Sequence, residues 1–324
     1  MAETALSYKP VRLRDFIRVN DWYFSVIGYR NDKGVKCFLR YIPHEKGGRK
    51  KEGKRFRKLL HREATDFASK WGTNYFNGKI FIVPPEDVDE VFKPEERLKV
   101  EGKVGEVVDF FSGIPLQNMG VTGSRLIGLE DEGSDIDFVM YGDQWFKGRE
   151  KIKSGMNRGE IAEPDSDVWD SIFNKRKVNI PFNIFLSHER RKFHRAVLGS
   201  TYFDLLYVRD YWELENEVPE EEGEKGEKLT VEAKVKEGSL IFDYPAYYPV
   251  KHEDIDAVMC FTHTFTGQAF KGETLEAKGY VETINGKKCL IVGTEREVED
   301  EYIVSLTFMD RQELKEDFEK WKKQ

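Results

Sequence analysis

The 324-residue sequence has few cysteines, few glutamines and no long apolar run. Its three cysteines, Cys37, Cys260 and Cys289, are far apart and form no Cys-x-x-Cys pair. This spacing argues against a disulfide framework or a thiolate zinc site and favours buried thiols in a reducing compartment. No apolar stretch approaches the roughly 18 residues that a membrane span needs, and the first residues lack the apolar core of a signal peptide. We therefore expect a cytoplasmic protein with no membrane partner.

Composition limits the size and charge of the fold. A chain of this length exceeds the usual single domain, so two or three domains are expected. The formal net charge of −7 argues against a generally basic nucleic-acid-binding surface but leaves room for a local basic patch. Charged residues make up 34% of the chain whereas glutamine occurs only five times, a balance that resembles thermophile usage.

One central stretch combines a glycine-serine turn with two closely spaced aspartates. The apolar run 119–122 predicts a short strand that ends at Gly123 and Ser124. Glycine at such a turn lets a phosphate approach the backbone, and serine adds a hydroxyl donor. After a ten-residue loop, Asp135 and Asp137 begin a second strand, where alternation places both on one face. Two carboxylates on one face suit a pair of Mg²⁺ ions held roughly 3.5–4 Å apart.

A third carboxylate is predicted further along the chain. Asp204 is a lone acid inside the strand-like apolar run 202–208. Burying one aspartate in such a run costs several kcal/mol unless a cation or hydrogen bonds offset the cost. A metal ion shared with the central pair would offset it, so Asp204 completes the predicted ligand set.

These motifs resemble the DNA polymerase β-type nucleotidyltransferase superfamily, in which Gly-Ser is followed by Asp-x-Asp on a strand and by a later strand aspartate. The resemblance covers roughly residues 100–210. Over its whole length the chain is similar to an uncharacterised group of archaeal predicted nucleotidyltransferases.

The resemblance implies a two-metal transfer from a nucleoside triphosphate, such as ATP, to a hydroxyl acceptor, with release of pyrophosphate. Gly123 and Ser124 would hold the β- and γ-phosphates, and Arg125 would either contact the triphosphate or point outward. Asp135, Asp137 and Asp204 would be the catalytic residues and would bind two Mg²⁺ ions. Asp204 would also take the proton of the attacking hydroxyl.

The expected fold class is α+β, with the polymerase β-like core at residues 98–218. Residues 1–97 are expected to form an N-terminal α+β module with a basic loop, and residues 229–324 a C-terminal small β-barrel or sandwich, because short strands alternate there with glycine turns.

Two basic segments are candidate nucleic-acid-binding surfaces. One is a glycine-containing loop, and the other is a face of a helix predicted at 181–198, where basic residues recur at i, i+3 and i+7. Solvated surface cations would give the same patterns. The candidates are Arg49, Lys50, Lys51, Lys54, Arg55 and Arg57 in the loop, and His188, Arg191 and Arg195 on the helix.

Three functions therefore stay open at this point. The first is a nucleotidyltransferase that acts on RNA, for example tRNA. The second is a transferase that modifies a protein or a small molecule. The third is a non-catalytic nucleic-acid-binding protein on the same fold. The sequence does not specify the nucleotide, because base selectivity depends on the shape of the pocket.

Overall fold

The computed structural model describes residues 9–71, 74–215, 223–293 and 300–323. The chain forms two compact units, one of residues 1–148 and 198–216 and the other of residues 149–197 and 217–324. The expected domain boundaries at residues 97 and 218 stay predictions, and residue 218 lies outside the described residues. The N-terminal module and the glycine-serine turn thus belong to one unit. The described residues include no helix with the length and apolar character needed to cross a membrane.

The N-terminal part of the first unit is an antiparallel sheet with one helix. In the described residues, seven strands pair in the order β4-β5-β3-β2-β1-β7, and β6 pairs with β3. Buried and half-buried residues alternate along β3, because one face of this sheet packs on the core. The elements are β1 (Phe16–Val19), β2 (Trp22–Val26), β3 (Val35–Pro43), β4 (Arg49–Lys51), β5 (Lys54–Lys58), α1 (His61–Trp71), β6 (Phe81–Val83) and β7 (Glu90–Phe92).

The central part of the first unit contains the strands that were predicted to carry the acidic residues. Strand β8 is antiparallel to β9, and β9 is parallel to β11. The parallel pair needs a long crossover, and residues 142–200 supply it. The elements are α2 (Gly102–Phe110), β8 (Met119–Val121), β9 (Ile136–Tyr141) and β11 (Thr201–Val208). The crossover begins with α3 (Asp143–Arg158) and ends with β10 (Arg195–Leu198), and both elements include residues of the segment 149–197 that belongs to the second unit.

The second unit is a β-rich fold with helices. Five of its strands pair in a closed ring. Strand β12 pairs with β13, β13 with β14, β14 with β16, β16 with β15, and β15 again with β12. The small barrel or sandwich stays a prediction at that level of detail. The elements are α4 (Ser166–Arg176), α5 (Phe182–Arg190), β12 (Glu224–Val235), β13 (Ala246–Lys251), β14 (Ala257–Cys260), β15 (Thr274–Ile284), β16 (Lys287–Val292), β17 (Tyr302–Ser305), α6 (Leu306–Arg311) and α7 (Lys315–Trp321).

A buried arginine connects the start of the described chain to the core of the first unit. Arg12 is 1% exposed, and its guanidinium lies between two rings, 3.9 Å from the centroid of Tyr141 and 3.7 Å from that of Tyr211. It forms an ion pair with Glu95 at 3.1 Å. Both tyrosine hydroxyls donate hydrogen bonds to Glu95, at 2.8 and 2.9 Å. The buried carboxylate is therefore compensated by a cation and two hydroxyls.

Replacing Arg12 with alanine should destabilise the first unit by about 3–5 kcal/mol, because Glu95 would lose its buried cationic partner. Arg12→Lys should recover little of this lost stability, since an ammonium group cannot stack on the tyrosine rings as a planar guanidinium does. Chemical denaturation would measure both effects. The control is Lys9→Ala, because Lys9 also pairs with Glu95 but is 43% exposed, so its loss should cost at most about 1 kcal/mol. Equal effects of Arg12→Ala and Lys9→Ala would contradict this account.

Candidate active site

The parallel pairing of β9 and β11 places two of the predicted carboxylates side by side. Asp204 is the direct partner of Asp137 in the register. Both residues are half-buried, whereas the neighbours Ile136, Phe138 and Phe203 are buried. Paired strands lie about 4.8 Å apart, and in-register partners point to the same face. Two acids that are 67 positions apart in the chain therefore share one face of the sheet.

The third carboxylate lies at the entrance to the same strand. Asp135 is exposed and directly precedes β9, so it is a loop residue rather than the predicted first strand residue. The side chain of Arg125 holds this loop, donating from Nη2 to the carbonyl of Ser134 at 2.8 Å and from Nε to the carbonyl of Asp135 at 3.4 Å. The nucleotide contact of Arg125 stays a prediction, but its guanidinium fixes the backbone that presents Asp135.

Electrostatic interactions connect the three carboxylates. Burial raises the pKa of Asp137, and the negative charges of Asp204 and Asp135 raise it further. Two cations oppose this shift, Arg14 more strongly than Arg40. Repulsion among three carboxylates would be relieved by a bound divalent cation, which favours their ionised form.

The three carboxylates are of the ligand type that suits Mg²⁺. In the described residues, no three His, Cys, Asp or Glu side chains are already close enough together to hold a metal ion. Carboxylate oxygens are the hard ligands that Mg²⁺ prefers. The hydroxyl of Tyr202 donates to Oδ1 of Asp204 at 2.8 Å and so orients this carboxylate. Asp137 and Asp204 would be ligands of the metal ions, and the exposed Asp135 would be the third ligand.

The glycine-serine turn lies directly against Asp137. Gly123 has a φ of +72°, a conformation that favours glycine, and a Cβ atom built on it would lie 2.5 Å from Oδ2 of Asp137. The amide of Thr122 donates to the carbonyl of Asp137 at 3.0 Å. Burial raises the pKa of Tyr41, and the nearby side chain of Ser124 opposes this shift. Glycine at this position therefore lets the turn and the carboxylate approach each other closely.

Sequence reasoning did not find the N-terminal residues of this site. The carbonyl of Arg14 accepts a 2.6 Å hydrogen bond from the hydroxyl of Thr122, just before the turn. Arg14 also has a φ of +74°, which is uncommon for a residue with a side chain. The charges of Arg14 and Arg40 act on Asp137. Nothing in the local sequence indicates this, because the contacts join segments about a hundred residues apart.

The basic loop forms the hairpin of β4 and β5, and five of its six candidate cations have protein partners. Arg49 pairs with Asp131 at 2.5 Å and donates to the hydroxyl of Ser134 at 3.0 Å, so it supports the loop that leads to Asp135. Phe56, an aromatic residue of this hairpin, is only 2% exposed and packs in the core, so its ring is not available to stack on a base. Lys50 is exposed.

The other four candidate cations of the hairpin contact acids, a carbonyl or aromatic rings. In these contacts Lys54 pairs with Asp21, Arg57 pairs with Glu63, Arg55 donates to the carbonyl of Gly47, and Lys51 lies over the rings of Tyr23 and Phe92.

The predicted basic helix face does not exist. Helix α5 ends at Arg190, and Phe193 has a left-handed φ of +49°, so Arg191 and Arg195 do not continue the helix. Arg191 pairs with Glu273 at 2.8 Å and Arg195 pairs with Glu189; both arginines are at least nine-tenths buried.

His188 is fully buried, so its predicted contact with nucleic acid is wrong. Its Nε2 accepts from the amide of Ser305 at 3.0 Å, and its Nδ1 lies 2.8 Å from the carbonyl of Ile184. Burial lowers the pKa of His188 to about 3. The ring is therefore a neutral core residue that joins α5 to the strand β17.

Comparisons with known proteins agree with the motif assignment. The nucleotidyltransferase domain family matches residues 103–194, which include the turn, Asp135 and Asp137. An uncharacterised protein of Methanocaldococcus jannaschii is 32% identical to this chain, over 90% of this chain and 98% of its own length. No solved structure matches the chain. The match over nearly the full length of this relative, together with the domain match at the site, shows that the chain belongs to the nucleotidyltransferase family of the polymerase β-like superfamily.

Proposed function

We propose that the chain transfers a nucleoside monophosphate from a nucleoside triphosphate to a hydroxyl group, with two Mg²⁺ ions. The observation that carries this proposal is the in-register pair of Asp137 and Asp204 beside the turn at Gly123. This arrangement joins a candidate ligand set to a backbone that a phosphate can approach.

Different residues of the chain have different roles in the proposed reaction. The turn at Gly123 and Ser124 holds the β- and γ-phosphates, and the charges of Arg14 and Arg40 offset those of the triphosphate and carboxylates. Asp204 accepts the proton of the acceptor hydroxyl. The oxygen of that hydroxyl forms a bond to the α-phosphorus while the bond from this phosphorus to the pyrophosphate oxygen breaks. When bound, Mg²⁺ supplies charge neutralisation at the attacking and leaving oxygens.

RNA, for example tRNA, is the acceptor that we propose first. The hairpin of β4 and β5 places Lys50, Lys54, Arg55 and Arg57 on the surface of the unit that carries the carboxylates. The pairs of Lys54 with Asp21 and of Arg57 with Glu63 are exposed. Such pairs contribute at most about 1 kcal/mol, so these cations can exchange their acidic partners for phosphates.

A protein or small molecule is the second candidate acceptor. The observation that favours it is that four hairpin cations have partners within the protein: Arg49, Lys54, Arg55 and Arg57. With those contacts intact, the hairpin supports the fold of the site and leaves little charge for a nucleic-acid backbone.

Replacing Asp135, Asp137 or Asp204 with asparagine should lower nucleotidyl transfer at least about 100-fold, because each change removes charge from the reacting centre. Transfer is measured with each α-labelled nucleoside triphosphate, Mg²⁺ and fractionated cellular RNA or protein. Glu132→Gln is the matched control, since Glu132 is an exposed acid of the same loop and should retain activity. Nucleic-acid binding without transfer, unaffected by the three aspartate changes, would show a binding protein instead.

Gly123→Ala should abolish transfer, because its Cβ would meet Oδ2 of Asp137 at 2.5 Å. Gly128→Ala is the matched control. Gly128 lies in the same turn with a φ of +67°, and its Cβ would meet only Lys51 side-chain atoms, at 3.9 and 4.0 Å. Both variants should lose about 1–2 kcal/mol of stability from the left-handed backbone, measured by denaturation. Comparable activity in the two variants would argue against a role for the close approach at Gly123.

If RNA is the acceptor, its affinity should fall steeply with salt. Replacing Lys50 and Arg55 with alanine should reduce the slope of log K against log salt by about 0.7 for each lost phosphate contact. Filter binding or fluorescence anisotropy would measure the slope, with Lys33→Ala as an exposed control on another turn. RNA binding that is absent or insensitive to salt would favour the protein or small-molecule acceptor.

A further inference from the structure

The second unit contains a cavity that shares no residue with the carboxylate site. Its volume is about 320 Å³, which corresponds to roughly ten water molecules at about 30 Å³ each. The cavity is therefore large enough for a small organic molecule. Its lining combines arginines and glutamates with the aromatic side chains of Trp169, Phe193 and Phe308.

Three residues of this lining carry a buried nitrogen without a hydrogen-bond partner in the protein. The nitrogens are Nε1 of Trp169, Nδ1 of His194 and Nη1 of Arg191. Trp169 is 3% exposed and His194 8% exposed. Buried polar atoms are almost always hydrogen-bonded, so these three nitrogens have hydrogen-bonding capacity left for a ligand in the cavity.

The chemistry of these nitrogens selects the ligand. An indole nitrogen is only a donor, and a guanidinium has no acceptor. Burial and the charge of Arg195 lower the pKa of His194, so its ring is neutral and can donate from either nitrogen. The matching partner is rich in acceptors and carries negative charge, as a phosphate group does.

Neighbouring residues hold these groups in place before a ligand arrives. Nη2 of Arg191 donates to both carboxylate oxygens of Glu273 at 2.8 Å. The guanidinium of Arg191 lies 4.1 Å from the ring centroids of both Phe270 and Phe308. Arg195, another residue of the lining, forms an ion pair with Glu189. Such preorganisation reduces the entropic cost of binding.

We propose that this cavity binds a small phosphate-bearing molecule, held by the side chains of Trp169, Arg191 and His194. The aromatic lining accepts an apolar or sugar-like part, and the arginines neutralise the phosphate. This proposal does not depend on the proposed transfer reaction, because binding alone tests it.

Calorimetric titration of the full chain in EDTA, at constant ionic strength, would test the proposal. The probes are inorganic phosphate and ribose 5-phosphate, and tighter binding of the second would identify a phosphomonoester rather than free phosphate. We expect one site per chain. Trp169→Phe keeps an aromatic ring but removes the indole donor, and it should weaken binding about 2–10-fold.

Two control variants distinguish binding in this cavity from binding at the carboxylate site or elsewhere on the surface. Trp212→Phe changes a tryptophan that is 67% exposed, and it should leave the affinity unchanged. Ser124→Ala removes a hydroxyl of the carboxylate site and should also leave it unchanged. The proposal is overturned if neither probe binds at about 10 mM, or if Ser124→Ala abolishes binding while Trp169→Phe retains it. Should Trp169→Phe fail to fold, crystals of the unaltered protein would be soaked in tungstate, an analogue of phosphate. Tungstate density inside the cavity would support the proposal, and density only outside it would overturn the proposal.

Discussion

The parallel pairing of β9 with β11 is the constraint on which the proposed chemistry depends. A parallel pair fixes the register of two segments that lie far apart in the chain, so a shift of one residue would turn Asp204 to the opposite face. The alternation of Asp137 with the buried Ile136 and Phe138 prevents such a shift, because it would bury the acids and expose the core. The same packing that stabilises the sheet therefore brings the carboxylates together.

The N-terminal module completes this site rather than only flanking it. Arg12, fixed between two tyrosine rings, holds the segment that places Arg14 beside Thr122. Strand β3 contributes Tyr41, whose side chain lies near that of Ser124. Arg49 supports the loop before Asp135. These contacts join the N-terminal module to the site within one unit.

The sequence predicted the parts of the site that depend on local pattern. The strands that carry Asp137 and Asp204 follow from alternating apolar residues, and the turn at Gly123 follows from its glycine. It could not predict the cations near Asp137, because only tertiary contacts bring them there. The prediction of a nucleic-acid-binding helix face at His188 was wrong, because helical spacing alone does not distinguish a buried face from an exposed one. The helix also ends early, at Arg190, before a left-handed turn.

Each of the two units is discontinuous in the chain, and this has a practical consequence. Residues 149–197 belong to the second unit although they lie in the chain between β9 and β11 of the first. Their helix α5 packs in the core of the second unit together with strands from residues 223–293. A fragment that stops at residue 216 would keep Asp204 but strip the apolar cover from Ile184 and Phe185, and it would tend to aggregate. Separating the two units for study therefore requires replacing residues 149–197 with a bridge long enough for the parallel crossover from β9 to β11, not a single truncation.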